Sequence, residues 1–233
     1  MTFNPKLWPS LMVSVVFSLL IGLGCWQVQR YHEKNDLLTR FQTAAHATPL
    51  SFSKMNTRAD IRFQHMRVTG RYLNNKTLLL QNRFYSSHVG FDVLTPLKIP
   101  GKNEVLLVNR GWVPILKNQQ PAPIQRVFGM QHLTGYIKVL DKHAFILGKN
   151  ILEPLQWPLK IQKIDFKQLS ELTHASFYPF ILYLDPHQPH GFIRAWQPIN
   201  MQPERHLGYA VQWFAMAVAL VVAFFFFSCR SDG

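Results

Sequence analysis

Residues 207–229 read LGYAVQWFAMAVALVVAFFFFSC, which is twenty-three residues without a charged side chain. A second uncharged stretch, SLMVSVVFSLLIGLGCWQV, occupies residues 10–28. An α-helix rises about 1.5 Å per residue, so each stretch can cross a hydrocarbon layer of about 30 Å. Neither has the one-sided apolar stripe of a soluble helix, which argues against the alternative of a buried core helix. The sequence therefore predicts transmembrane helices over residues 10–28 and 207–229.

The segment between the two spans has the pattern of a β-rich domain. Residues 31–48 continue the first span as a helix, and a short helix is predicted over residues 165–173. Runs rich in β-branched and aromatic residues, separated by Gly, Asn and Pro, predict strands. These strands cover residues 61–73, 77–82, 89–99, 104–113, 131–139 and 177–184. The predicted fold class is a membrane α+β protein, in which two terminal helices flank one extramembrane domain, residues 29–205, built as an antiparallel sheet or small barrel.

The net charge of +13 raises the question of nucleic acid binding. Residues 30–205 carry twenty-three of the twenty-five Lys and Arg and eleven of the twelve acidic residues, in no basic run. Scattered positive charge beside a membrane favours lipid headgroups, an acidic protein surface or propionates over nucleic acid. The two cysteines, Cys25 and Cys229, lie in the spans, so the domain contains neither a disulfide nor a paired-cysteine copper site.

The orientation of the spans is not decided by local charge, because Lys6 precedes the first span while three basic residues follow it at 30–40. Two spans place both termini on one side, and we expect these to be cytoplasmic. The first span starts close to Met1, which leaves no room for a transit peptide and favours a bacterial inner membrane over a mitochondrial one. An alternative is that residues 22–25 form a lipoprotein cleavage site with Cys25 lipidated.

Polar and aromatic side chains gather at the domain-side ends of both spans. They are Trp26, Gln27 and Arg30 on the first span and Arg205, His206, Tyr209, Gln212 and Trp213 on the second. If both helices enter from the same surface, these residues lie at similar depth and form one polar and aromatic mouth. His206 could bind a metal or haem iron through a neutral imidazole nitrogen, with Arg30 and Arg205 near propionates. The alternative is that the aromatic residues mark the bilayer interface and Arg30 snorkels to headgroups.

The remaining candidates have open interpretations. Gln27 and Gln212 are amides at the membrane boundary, where another helix or a protein partner commonly satisfies them. Arg110 and Trp112 close a strand, either as a buried hydrogen-bond hub with its packing aromatic or as an interaction site. His187 and His190 lack further ligands at a recognised metal spacing, so they are expected to be loop histidines.

Three stretches occur in a characteristic order along the chain. They are LGCWQVQR at 23–30 followed by Lys34, TPL at 95–97 with VNRGWVP at 108–114, and HLGYAVQWF at 206–214. In these stretches the sequence resembles the Surfeit locus protein one (Shy-one) family of cytochrome c oxidase assembly factors. The motifs fall on the first span, the middle strands and the second span, so the resemblance extends over essentially the whole chain.

The resemblance implies an inner-membrane protein whose domain faces the periplasm, or the intermembrane space in mitochondrial members. It also implies a non-enzymatic role: binding haem a transiently and assisting its insertion into cytochrome c oxidase subunit I, with haem a synthase as a further candidate partner. His206 occupies the position of the family's proposed haem-binding residue. We expect Trp26, Tyr209 and Trp213 to contact the macrocycle, and Arg30 or Arg205 to meet the propionates.

Two other functions compete with this interpretation. A scaffold would stabilise an oxidase assembly intermediate without binding haem, and its Gln27 and Gln212 faces would contact protein. A membrane-anchored periplasmic hydrolase is disfavoured, because no nucleophile, base and orienting residue are apparent as a set in the domain.

Overall fold

The computed structural model describes residues 2–3, 6–55, 60–116, 120–140, 150–151, 156–194, 196 and 202–230. The chain forms two compact units: Met1–Arg40 together with Pro198–Gly233, and Phe41–Gln197. We call the first the helical unit and the second the barrel unit. The strands and helices, in chain order, are β1 Thr2–Phe3, α1 Leu7–His46, β2 Leu50–Ser51, β3 His65–Tyr72, β4 Leu78–Tyr85, β5 His88–Lys98, β6 Val105–Pro114, β7 Gln131–Val139, β8 Leu159–Ile161, α2 Phe166–Thr173, β9 Phe177–Leu184, α3 Pro203–Ser228 and β10 Cys229–Arg230, with 3-10 turns at Phe52–Lys54 and Asn74–Lys76.

The helical unit contains two helices that are long and apolar enough to cross a membrane. Helix α1 is 40 residues long and α3 is 26 residues long. They run antiparallel, because Thr2 pairs with Arg230 at one end of the unit while Gln27 bonds to His206 towards the other. Apolar side chains on their outer surfaces are exposed, with Leu7 80% and Phe227 91% accessible, as a lipid environment requires.

The barrel unit is built on five strands that close on themselves. Their order is β3, β7, β9, β6 and β5, and β5 returns to β3 through the pairs Arg71 with Lys98 and Tyr72 with Leu97. Strand β2 extends the sheet beside β3, and β4 and β8 extend it beside β5. Each predicted strand overlaps an observed one, and α2 matches the predicted short helix. The predicted fold class, a β-rich α+β domain between two terminal helices, is confirmed.

The barrel is mixed rather than purely antiparallel. Strand β9 lies between β7 and β6, antiparallel to the first and parallel to the second. A closed ring with an odd number of strands must contain at least one parallel pair, because directions cannot alternate all the way around it. The short strands β2 and β8 also pair in parallel, with β3 and β4.

The burial pattern follows from this arrangement. Residues of β3 alternate between buried and accessible, which is the period of a strand with one covered face. Nine of the ten residues of β6 are buried, because this central strand is covered on both faces. The covering layer includes α2, where Asp165 caps the first turn by accepting hydrogen bonds from the backbone of Lys167 and Gln168, and Leu169 is fully buried.

Candidate functional site

The two helices of the helical unit contact each other through small residues. Gly24 of α1 and Ala210 and Ala217 of α3 are buried within the unit. A Cβ atom at Gly24 would overlap the ring of Phe214, so the missing side chain lets α3 approach α1 at this level. Small residues at such contacts are typical of helix pairs in membranes, where close backbone approach supplies the packing.

A hydrogen bond between Gln27 and His206 joins the same two helices. The imidazole Nδ1 of His206 lies 2.8 Å from Oε1 of Gln27, and both side chains are half-buried. The other ring nitrogen, Nε2, has no hydrogen-bond partner within the part of the chain that the structure describes. The structure thus brings together two of the predicted site residues and leaves one imidazole nitrogen of His206 available.

The aromatic and amide candidates lie on more open faces of the same helices. Trp26 is 52% exposed and Tyr209 is 46% exposed, while Trp213 is half-buried. Gln212 is exposed on α3, whereas Gln27 is engaged with His206. The aromatic faces of Trp26 and Tyr209 are therefore accessible for stacking against a flat apolar ligand.

The two arginine candidates differ in their surroundings. Nη1 of Arg30 donates to Oε2 of Glu33 at 2.7 Å. This is a surface ion pair between residues about one helical turn apart. Exposed pairs of this kind contribute only about 0.2–1 kcal/mol, so an anionic ligand can compete with Glu33 for Arg30. Arg205 is exposed at the start of α3.

Arg110 is fully buried near the middle of β6, inside the barrel unit, and does not close the strand as the sequence suggested. Its Nε and Nη2 donate to the backbone oxygen of His190 at 3.2 and 2.9 Å, and Nη2 also donates to Gln125 at 2.8 Å. The guanidinium carbon lies 5.2 Å from the ring centre of Tyr72 and 5.0 Å from that of Phe192. Burial lowers the pKa of Arg110 and raises the pKa of Tyr72. Arg110 is therefore a hydrogen-bond hub that fastens two loops to the barrel.

Trp112 and Gly111 extend this hub. The indole Nε1 of Trp112 donates to the backbone oxygen of Arg83 at 3.0 Å, and the backbone of Trp112 pairs with Ile193 in both directions. Gly111 has φ +115°, and a Cβ atom there would lie 2.8 Å from the carbonyl oxygen of Ile193. Only glycine fits both conditions without strain. Arg110, Gly111 and Trp112 together therefore hold residues 190–193 against β6.

A polar cluster around His65 was not anticipated from the sequence. Nε2 of His65 lies 2.7 Å from Oδ2 of Asp185, and Nδ1 lies 3.3 Å from the carbonyl oxygen of Ala47. The imidazole also stacks on Tyr136 with 4.6 Å between ring centres. His65 and Asp185 are 120 residues apart, so no local pattern could pair them.

A second polar group surrounds Asp92, which is half-buried on β5. Oδ2 of Asp92 accepts from the amide of Asn109 at 3.1 Å and lies 3.4 Å from Nε of Arg83. Burial raises the pKa of Asp92, and Arg83 and the Asn109 hydrogen bond oppose that rise. Arg83 and Asn109 therefore limit the free-energy cost of burying this carboxylate.

A cavity of about 310 Å³ opens beside the Arg110 hub. Its lining includes Asn74, Arg126, Ile124 and Trp157. Arg110 is itself one of the lining residues, and its buried Nη1 has no hydrogen-bond partner among the described residues.

Potential metal ligands do not cluster in the part of the chain that the structure describes, since no group of three or more His, Cys, Asp or Glu side chains lies together there. His190, one of the two loop histidines, contributes its backbone oxygen to Arg110.

The sequence is similar to several known proteins. The sequence model of the SURF1 family matches residues 14–218. A SURF1-like protein of Rickettsia felis is 26% identical over 224 residues, covering 92% of this chain and 94% of that protein. A SURF1-like protein of Monosiga brevicollis is 26% identical over 243 residues, covering 97% and 88%. Surfeit locus protein 1 of Mus musculus is 25% identical over 217 residues, covering 85% and 68%.

Proposed function

Because this chain belongs to the SURF1 family, we propose that it is a membrane-anchored assembly factor for cytochrome c oxidase that holds haem a at His206 until the haem enters subunit I. The family match supports the role in oxidase assembly and is consistent with a protein that is not a catalyst. Haem a binding, subunit I as the acceptor and haem a synthase as a donor are the finer parts of the proposal.

The haem-binding part of the proposal rests on the hydrogen bonding of the two ring nitrogens of His206. Its Nδ1 is engaged by Gln27, and its Nε2 has no partner among the described residues. A neutral imidazole nitrogen is a common axial ligand of haem iron. The residues present therefore fit a haem, with Nε2 of His206 as the iron ligand.

The residues near His206 on the two helices suit the macrocycle and the propionates of the haem. Trp26 and Tyr209 are about half exposed and offer aromatic faces to a macrocycle. Arg205 is exposed, and Arg30 is held only by a surface ion pair, so both can meet propionates. A single histidine ligand on an open surface gives binding that can be reversed, which a delivery protein requires.

We place the protein in a bacterial inner membrane with its termini in the cytoplasm and the barrel unit on the periplasmic side. The two candidate spans support membrane association. They run antiparallel, which supports the proposal that both termini lie on the same face of the bilayer. The matches in Rickettsia and mouse are compatible with a bacterial or a mitochondrial inner membrane.

The test is the haem content and visible spectrum of the full chain, purified in detergent from cells that also make haem a. We expect the wild type to be pigmented and His206→Ala to lose the pigment. His32→Ala removes an exposed histidine of α1 and should keep the pigment, which makes it the matched control. A colourless wild type would favour the scaffold function instead, and a fully pigmented His206→Ala would show that haem is held by a residue other than His206.

A further inference from the structure

The contact between Gln27 and His206 determines which nitrogen of the imidazole carries the proton. The oxygen of an amide side chain accepts hydrogen bonds and cannot donate them. Since Oε1 of Gln27 lies 2.8 Å from Nδ1 of His206, Nδ1 must supply the hydrogen. In a neutral imidazole the lone pair is then on Nε2.

We infer that Gln27 is a positioning residue, which fixes the tautomer and the ring orientation of His206 so that Nε2 is presented as the ligand nitrogen. This inference rests on the function proposed above. Histidines that bind metals generally donate their second ring N–H to a neighbouring acceptor, and that neighbour sets both tautomer and orientation. Gln27 reaches His206 from the other helix, so the arrangement exists only while α1 and α3 are packed together.

The neutral amide of Gln27, as the hydrogen-bond acceptor, suits a protein that must release its haem. A carboxylate in place of Gln27 would increase the basicity of the imidazole and strengthen its bond to iron. The amide is neutral, so it orients the ring with less effect on ligand strength. Gln27 thus combines a fixed geometry with moderate affinity.

A simpler role for the same bond is to hold the helices together. Hydrogen bonds between membrane helices contribute about 0.6 kcal/mol on average, so a purely structural bond would alter helix packing slightly and leave the imidazole chemistry unchanged. Measurements on the imidazole ring of His206 therefore distinguish the two roles.

The first experiment needs no haem. Nitrogen NMR of ¹⁵N-histidine-labelled full chain in micelles reports the tautomer of each ring, and the signal missing in His206→Ala identifies His206 among the ten histidines. We expect the Nδ1–H form in the wild type and a shift towards the Nε2–H form in Gln27→Leu. An Nε2–H ring in the wild type, or a spectrum unaffected by Gln27→Leu, would overturn the inference.

The second experiment measures haem affinity and release. We expect Gln27→Leu to weaken haem binding about 10- to 100-fold, which is the usual effect of removing such a partner. Gln27→Glu keeps an acceptor and should restore binding, with slower transfer of haem b to apomyoglobin than the wild type shows. Gln29→Leu makes the same change on an exposed face of α1 and should behave as the wild type.

The outcomes separate this inference from the proposed function. If His206→Ala loses haem while Gln27→Leu binds it as tightly as the wild type, the positioning role is wrong and the proposed function stands. If His206→Ala keeps its haem, the proposed function fails and the inference fails with it. Circular dichroism of each variant checks that helical content is retained, and the Gln27→Glu rescue excludes simple misfolding.

Discussion

The helical unit and the barrel unit use their polar side chains in opposite ways. In the barrel unit, Arg110 is fully buried, and the described residues around it occupy its Nε and Nη2 with backbone oxygens. In the helical unit, His206 is half-buried and commits a single ring nitrogen to Gln27. Both residues lie in the stretches that carry the family resemblance. The comparison teaches that one such stretch maintains the fold of its unit, whereas the other leaves a ring nitrogen for the ligand role proposed above. Burial and hydrogen bonding distinguish the two.

The largest effect that tests this comparison comes from removing the Arg110 hub. Arg110→Met should lower the free energy of unfolding of the barrel unit by roughly 3 kcal/mol, because hydrogen bonds from charged donors contribute about 1.5–3 kcal/mol each and relief of the buried charge offsets part of that loss. Denaturant unfolding of the full chain in detergent, followed by tryptophan fluorescence, measures it. Arg126→Met, at an exposed arginine, should change stability by less than about 0.5 kcal/mol.

The same variant can also break the comparison. If Arg110 acts only on the fold, the fraction of Arg110→Met protein that remains folded should bind haem as the wild type does. A well-folded Arg110→Met protein without haem would mean that the barrel unit takes part in ligand binding directly.

An intermediate effect is expected at the helix contact. Gly24→Ala introduces a methyl group that overlaps the Phe214 ring, so the ring or α3 itself must shift. We expect a loss of about 1 kcal/mol in helix packing, as overpacked sites typically show. Mixed-micelle unfolding in SDS measures this loss. Gly22→Ala has nothing within 4 Å of the added atom and should cause none. Because alanine favours a helix more than glycine does, equal losses in both variants would show that the contact with Phe214 is not responsible.

The smallest effect is a pH dependence from the half-buried carboxylate of Asp92. Its pKa in the folded protein is raised above the ordinary value of 3.8, so the folded state binds the proton more tightly than the unfolded chain. Wild-type stability should therefore fall as pH rises from about 4 through the folded pKa, and should be level above it. Asp92→Asn cannot titrate, so its stability relative to the wild type should increase over that window. A pH-independent difference between the two proteins would contradict this.

The sequence predicted the elements of the barrel well because their signal is local. Alternating and β-branched runs fixed β3, β5, β6, β7 and β9 to within a few residues. The pairing was not predictable in the same way, since β9 joins β6 and β7 through registers that depend on distant residues. Strand β8 was missed, because three residues are too few to show a period.

The candidate site was predicted as a set of residues but not as a geometry. The spacing of polar residues at the span ends pointed to Gln27 and His206, yet their bond depends on how α1 and α3 pack, which Gly24 permits. Likewise, the motif around Arg110 suggested a hub, but its partners His190 and Gln125 come from loops whose approach no local pattern encodes.

The central place of β9 has a consequence for the way the protein is made. Chains leave the ribosome from the N-terminus, and β9, which pairs with both β7 and β6, ends only at Leu184. Until then the nascent chain carries α1 and most of the barrel strands, with the edges of β6 and β7 unpaired and prone to misassociation. Only residues 185–202 separate β9 from α3. Barrel closure and the synthesis of α3 are thus both late events, and the start of α3 follows the end of β9 by the time needed to add eighteen residues.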